Sequence, residues 1–377
     1  MKSATGILTV NLSAILANWR CVTSQLSKGS SAAAVIKANA YGLGAAQVGP
    51  VLYRAGCREF FVATIDEAVA ARKYLHADAV IYVLGGLRVG TESLFLQHKI
   101  SPVLHSTQDI RRWLAHVADI ESPPECAVKI NTGMTRLGLD VQEWTALVTA
   151  RSELQQLSPA LVMSHLACAD EPGHALNREQ LQQFQAVVAT SRSLLPQARY
   201  SLANSSGIYL GKEWHFDLVR PGAALYGINP RPQEPSPLKP VVHLALPILQ
   251  VRQLTGPVSI GYGATVKASA PTRLAVAAGG YADGLHRTIG GAGFGVIGRH
   301  QVPVIGRISM DATIFDVSAA GIAADEAKVI EVLNDELTVD SWAARTGALG
   351  YEVLTSLGYR YQRRYVKDGV LVESELC

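Results

Sequence analysis

Between residues 33 and 220 the sequence alternates eight times between a short apolar run and a longer, more polar stretch. The runs fall at 33–37, 60–63, 80–84, 102–104, 126–130, 161–164, 200–203 and 217–220. Each is too short for a stable helix and is bounded by turn-forming residues, so each reads as a buried strand. Helix starts lie between them. Thr64 with Glu67 and Ser106 with Asp109 read as capping boxes, and Asn177 with Gln180 as a similar arrangement. After Asn177, residues Leu181, Phe184, Val187 and Val188 share one stripe, as on a helix packed against a sheet. Repeated βα units restrict an α/β chain to a closed (β/α)8 barrel or an open doubly wound sheet, and periodicity leaves both standing.

The pattern breaks at residues 229–240, where NPRPQEPSPLKP holds five prolines and favours extended linker geometry. Beyond it, strand-like runs dominate at 243–254, 274–278, 295–297, 302–305, 313–317 and 328–333, and only 338–346 looks helical. A second, mainly β domain is expected. At the other end, residues 6–10 read as a strand, and Asn11 or Ser13 can cap a helix that buries Leu12, Ile15, Leu16 and Trp19.

Several function classes are disfavoured. A formal charge of +3 on 377 residues, with Lys and Arg scattered, gives no footprint for nucleic acid or an anionic membrane. No apolar run approaches the ~20 residues of a membrane span, and residues 1–10 lack the apolar core of a secretion signal, so a soluble cytoplasmic protein is expected. Five dispersed cysteines, at 21, 57, 126, 168 and 377, fit free thiols in a reducing compartment. The ten histidines show no compact ligand spacing, and no metal site is expected. Gly293, Gly295 and Gly298 satisfy GxGxxG but lie between short strands with no helix following, so they read as tight turns.

The stretch AAAVIKANAYGLG at residues 32–44 puts Lys37 where a core strand meets a loop. Such a lysine either snorkels to water or serves as a Schiff-base amine for an aldehyde cofactor, and the residues alone leave both open. The segment resembles the pyridoxal-phosphate lysine segment of the alanine racemases. Further motifs follow in that family's order: KINTGMTRLG at 129–138, SHLACAD at 164–170, ANSSG at 203–207, VRPGAALYG at 219–227, GYGAT at 261–265, GYADG at 280–284 and GRISMD at 306–311.

The resemblance decides for a TIM-type barrel over residues 11–235, which binds pyridoxal 5'-phosphate. Residues 1–10 and 236–377 would form the mainly β domain. It implies an amino-acid racemase interconverting L- and D-alanine by two bases, with Lys37 the Schiff-base lysine acting on the D-enantiomer and Tyr262 the base acting on the L-enantiomer. Tyrosine titrates near pH ~10 and needs positive neighbours to act near neutrality, and His165 and Arg220 are candidates. Arg220 would face the pyridine nitrogen, and a guanidinium keeps its proton, which limits side reactions of the carbanion. Tyr41, Ser205, Gly222, Ala223 and Tyr359 would hold the phosphate, with Asn204 beside them at a helix start. Arg136 and the Met310 amide would hold the substrate carboxylate. Lys129 matches a lysine carbamylated in some relatives. Tyr281, Asp170, Arg287, Arg307 and Tyr359 match residues around the entry channel, and Asp311 closes the GRISMD motif. Tyr262 and Met310 would come from the partner subunit of a homodimer.

Two departures bear on the substrate pocket. Asn131 stands where many relatives have Asp, and Leu357 with Gly358 would leave the pocket roomier, allowing serine or another small amino acid. The rivals are a decarboxylase of basic amino acids, expected to carry an acidic partner for the ring nitrogen and a late cysteine motif, and a non-catalytic barrel that binds pyridoxal phosphate. Arg220 occupies the first of those roles and the only late cysteine is Cys377. Whether the activity feeds a peptidoglycan cell wall with D-alanine or degrades it does not follow from the residues.

Overall fold

The computed structural model describes residues 4–269 and 271–376, and Cys377 lies outside the described residues. The chain divides into two compact units. One comprises Leu16–Leu225 and Asn229–Leu238; the other comprises residues up to 15, residues 226–228 and residues from 239 on.

In the first unit, Ala34–Val35, Glu59–Val62, Val80–Val83, Ser101–Leu104, Ala127–Lys129, Leu161–Met163 and Arg199–Ser201 form one parallel sheet in chain order. An eighth strand, Leu218–Val219, pairs in parallel with Ser31–Ala32. On that side the N–H groups of Ala33 and Val35 donate to the carbonyls of Val219 and Pro221 at 2.9 Å. On its other side the N–H groups of Asp217 and Arg220 donate to Tyr200 and Ala203 at 3.0 Å. An open sheet would leave an edge here, and this sheet closes on itself into the barrel. Its interior is packed solid by inward side chains that include Phe61, Tyr82, Val103, Leu161 and Met163, all at most 1% exposed.

Of the expected helix starts, the one at Thr64 is a full capping box and the one at Ser106 has half of it, with Asp109 accepting from the His105 N–H instead. Thr64 Oγ1 accepts from the Glu67 N–H at 3.3 Å, with Glu67 returning the bond, and Ser106 Oγ accepts from Asp109 at 3.1 Å. The third differs. The helix Ala175–Ser191 begins earlier, and Asn177 and Gln180 lie buried inside it. Their amides are used on neighbouring loops: Asn177 Nδ2 donates to the carbonyls of Cys168 and Glu171. Gln180 donates to His165 O and Thr132 Oγ1 while accepting from the Ala167 N–H.

In the second unit, Ile7–Asn11 pairs antiparallel with Val242–Leu254 and parallel with Gln362–Lys367. The 13-residue strand Val242–Leu254 pairs with Val329–Leu333 over its first half and Thr272–Ala278 over its second, and Ala312–Asp316 pairs with Thr272–Ala278. Alternating burial along residues 242–247 is the mark of a sheet covered on one face. Four elements go beyond the sequence expectation: the hairpin Val258–Ile260 with Val266–Ala268, the short helix Ala323–Glu326, the helix Gly350–Ser356, and the closing hairpin Gln362–Lys367 with Val370–Leu376. The glycines at 293, 295 and 298 belong to the hairpin Phe294–Ile297 with His300–Pro303, whose turn sets Gly298 at φ +58°.

Candidate functional site

The Ile36 N–H still donates to Phe61 O at 2.9 Å, so Lys37 follows directly on the pairing of the first barrel strand. What comes next is not an ordinary loop. Ala38, Asn39, Ala40 and Tyr41 have φ of 51, 54, 54 and 56°, a left-handed helical turn built from four consecutive non-glycine residues. An L-residue in that region costs about 1–2 kcal/mol, so such a turn persists only where its surroundings hold it. Here Ala40 donates to Ile36 O at 2.9 Å and Gly42 to Ala38 O at 2.7 Å. Asn39 Oδ1 accepts from the Ala45 N–H at 2.8 Å, and Glu67 Oε1 accepts from the Ala38 N–H at 2.7 Å. Gly42 and Gly44, at φ 83 and 95°, lead the chain out of the turn.

Lys37 faces a group of cations. Burial, then the positive charge of Arg136, lowers its pKa, while Glu67 raises it. Burial and the charges of Arg136, Arg220 and Lys37 bring Lys129 down to about 8. His165 is pushed well below its ordinary value by burial and by Arg220, Lys129, Arg136 and Lys37, so it is a neutral imidazole at pH 7. Arg220 is 4% exposed and has no carboxylate partner among the described residues. It donates instead to Ser201 Oγ and to the carbonyls of Ser164 and Leu202, and burial alone lowers it to about 9. Four cationic side chains gathered here, with Glu67 the only carboxylate among the described residues that bears on Lys37, make a site for an anion.

Beside it is a cradle of backbone and hydroxyl groups. Ser205 Oγ accepts from the N–H groups of Gly222 and Ala224 at 3.0 and 3.1 Å, tying together the segments that follow the seventh and eighth strands. Ala223 opens a short 3-10 helix, and Asn204 Oδ1 caps the turn at Gly207 at 2.9 Å. A β-carbon at Gly222 would stand 2.5 Å from the Tyr41 hydroxyl, which brings Tyr41 to the same cradle. Barrels commonly bind phosphate here.

Arg136 is exposed on the loop after the fifth strand. Asn131 organises that loop: its Oδ1 accepts from the N–H groups of Gly133 and Thr135 at 3.2 and 2.9 Å, and its Nδ2 donates to Asp140 Oδ1 at 3.0 Å.

Of the remaining expected residues, all but Asp170 lie in the β unit. Tyr262, 69% exposed, sits at the tip of the hairpin Val258–Ile260 with Val266–Ala268, between Gly261 and Gly263 at φ 68 and 76°. Behind it a β-carbon on Gly263 would come to 3.0 Å from Arg307 Nη1. The GYADG and GRISMD motifs are packed on each other. Tyr281 and Ala282 donate to the carbonyls of Ser309 and Met310, and a β-carbon on Gly280 would collide with both carbonyls. Buried Asp283 receives Arg360 as a bidentate pair at 2.7 and 2.6 Å, and Arg360 also reaches Asp311 at 2.7 Å. Tyr359 follows Gly358, whose N–H donates to Asp283 O. Tyr281, Met310 and Tyr359 are thus exposed side chains on one braced platform. The braces, Asp283 and Arg360, were not among the expected site residues; the 77-residue gap between them hides the pair from motif reading. Asp170 lies on a loop of the barrel unit, and Arg287 opens a 3-10 turn of the β unit.

A β-carbon at Gly358 would lie 3.2 Å from Asp283 Cα and Ala282 O, and Leu357 is buried, so close backbone packing accounts for the glycine.

Residues 10–230 match the family profile "Alanine racemase, N-terminal domain" and residues 241–365 match "Alanine racemase, C-terminal domain". The chain is 46% identical to an alanine racemase of Rhodospirillum rubrum, over 97% of this chain and 98% of that one. It is 42% identical to a catabolic alanine racemase of Agrobacterium fabrum, over 97% and 94%. Among solved structures it is similar to alanine racemase from Bartonella henselae with covalently bound pyridoxal phosphate, at TM-score 0.89 and 36% identity over 97% of this chain and all of that one.

Proposed function

This chain belongs to the alanine racemase family, and we propose that it interconverts L- and D-alanine with pyridoxal phosphate held at the open end of the barrel. The observation that carries the reading is the cation group around Lys37: an amine primed to lose its proton, beside an anion cradle, with one carboxylate in range. The residues fit that cofactor. Lys37 would meet its aldehyde, and Ser205, Gly222, Ala223, Tyr41 and Tyr359 would take its phosphate. When bound, the cofactor supplies the electron sink that makes the substrate α-proton removable.

The chain's own residues supply the rest. Arg136 pairs with the substrate carboxylate as a two-pronged donor. The Met310 N–H donates to no described residue, while its carbonyl accepts from Ala282, so the amide is available to the same carboxylate. Lys37 serves as base on one face. Tyr262 of the partner subunit serves on the other, and its exposed hairpin tip suits contact with a second chain. Arg220 stays cationic at neutral pH, and a guanidinium that keeps its protons would leave the ring nitrogen of a bound cofactor unprotonated, which would favour racemisation over side reactions. Lys129 adds to the positive field of the site, and His165 lines it as a neutral ring. No helix among the described residues is long and apolar enough to cross a membrane, and we place the homodimer in the cytoplasm, supplying D-alanine for peptidoglycan or consuming it.

The test is proton NMR of L- and D-alanine with the purified protein in deuterated water, with a chiral assay of products. Loss of the α-proton signal with the opposite enantiomer appearing is expected. Exchange with retained configuration would remove Tyr262 as second base. For the shared site, mixing Tyr262→Phe with Lys37→Ala chains, each inactive alone, should restore activity through hybrid dimers, and no recovery on mixing would refute it.

A further inference from the structure

Glu67 has a second task beyond capping its own helix. One carboxylate oxygen, Oε1, accepts from the Ala38 N–H at 2.7 Å; the other, Oε2, accepts from the Ala63 N–H at 2.7 Å and the Thr64 N–H at 3.4 Å. The carboxylate therefore clamps the first residue of the left-handed turn to the end of the neighbouring barrel strand, one residue from Lys37. Among the described residues, Arg136 is the cation that bears on Lys37 and Glu67 the only carboxylate that does, while Lys37 in turn bears on Lys129 and His165.

We propose that Glu67 is a positioning residue for Lys37: by clamping the Ala38 N–H it sets the turn that aims the lysine amine, and it is the local counter-charge to the surrounding cations. The proposal rests on the reading of Lys37 as the cofactor lysine, deepens it, and can be tested without cofactor. Glutamine at 67 keeps one acceptor oxygen but loses the charge and one of the two short bonds. Alanine loses everything.

The experiment measures the pH dependence of Lys37 acylation by a small anhydride in the full chain, read by mass spectrometry, for wild type, Glu67→Gln, Glu67→Ala and Thr64→Ala. Thr64→Ala breaks the same capping box without touching Ala38. The midpoint should move down by about half a unit to one unit in both Glu67 variants and stay put in Thr64→Ala, since loss of an opposite charge favours the neutral amine. In the holoenzyme the Glu67 variants should lose roughly tenfold or more in kcat with the alanine KM within about threefold, because a base displaced by ~1 Å acts mainly on kcat. Unshifted midpoints in the Glu67 variants, or an equal shift in Thr64→Ala, would overturn the proposal. Shifted midpoints in a chain that never links Lys37 to pyridoxal phosphate would uphold the clamp and strike the cofactor reading instead.

Discussion

The Tyr41 hydroxyl lies over Gly222 so closely that a β-carbon at 222 would stand 2.5 Å from it and 3.1 Å from Val35 Cβ. Backbone at 222 is thereby kept open on the cradle side, with its N–H held by Ser205. In Gly222→Ala either Tyr41 swings out or the segment after the eighth strand backs away. Pyridoxal phosphate affinity should fall about tenfold or more, and folding stability by about 1–3 kcal/mol for an overpacked site. Equilibrium dialysis and urea titration read the two effects, and an unchanged dissociation constant would remove this cradle from the phosphate site.

The left-handed turn offers a trade of stability against activity. Ala38 is exposed at φ 51°, where its β-carbon costs about 1–2 kcal/mol, and a glycine would remove that strain while adding about 0.5–1 kcal/mol of backbone entropy. Ala38→Gly should therefore be neutral to stabilising by up to about 1 kcal/mol in urea titration, yet slower, as the turn behind Lys37 loosens. Ala38→Val, β-branched at positive φ, should destabilise. A glycine variant that is clearly less stable would show that the turn is not strained at this position.

Much of this was legible in the residues. Short apolar runs between capped helices located all eight barrel strands, because a strand buried on both faces needs continuous apolar side chains. Whether the sheet closes was not legible, since closure rests on backbone bonds from Asp217 and Arg220 to Tyr200 and Ala203 that leave no side-chain pattern. Asn177 and Gln180 misled because the spacing that marks a helix start also serves amides reaching from inside a helix to neighbouring loops. The closing hairpin has its signal in Asp368-Gly369, at φ 52 and 77°, a turn pair whose flanking strands are too charged to stand out as strands. The hairpin carrying Tyr262 is mostly exposed in this chain, so no apolar period marks it. The left-handed turn had none either, as alanine gives no hint of positive φ.

Asn131 shows how one departure is built in. Its amide accepts from two loop N–H groups and donates to Asp140. Asn131→Asp would keep the acceptor but set two carboxylates in contact. Like charges that close raise the pKa of one of them. The pair then destabilises at neutral pH by about 1 kcal/mol, and the cost disappears as pH falls through the raised value. The alanine KM should rise several-fold as the loop bearing Arg136 shifts. If KM and stability match wild type at pH 7, Asn131 does not position this loop.

Lys129 gives the sharpest pH signature. The side chain is 6% exposed, no carboxylate pairs with it among the described residues, and its pKa falls to about 8 against ~10.4 for a free lysine. Between those values the unfolded chain binds more protons than the folded one, so stability rises with pH across the window. Below about 8 the full penalty of charging a buried amine among Arg136, Arg220 and Lys37 is present, on the order of 3 kcal/mol. Lys129→Met, similar in length and uncharged, removes that penalty. The variant should be more stable than wild type at pH 7 by a few kcal/mol at most, with the gap narrowing steadily toward pH ~10. Urea titrations of both proteins at pH 7, 8.5 and 9.5 check it. A methionine variant less stable at pH 7, with a gap independent of pH, would mean that Lys129 carries a stabilising negative group or partner in solution, and the cation group around Lys37 would have to be redrawn.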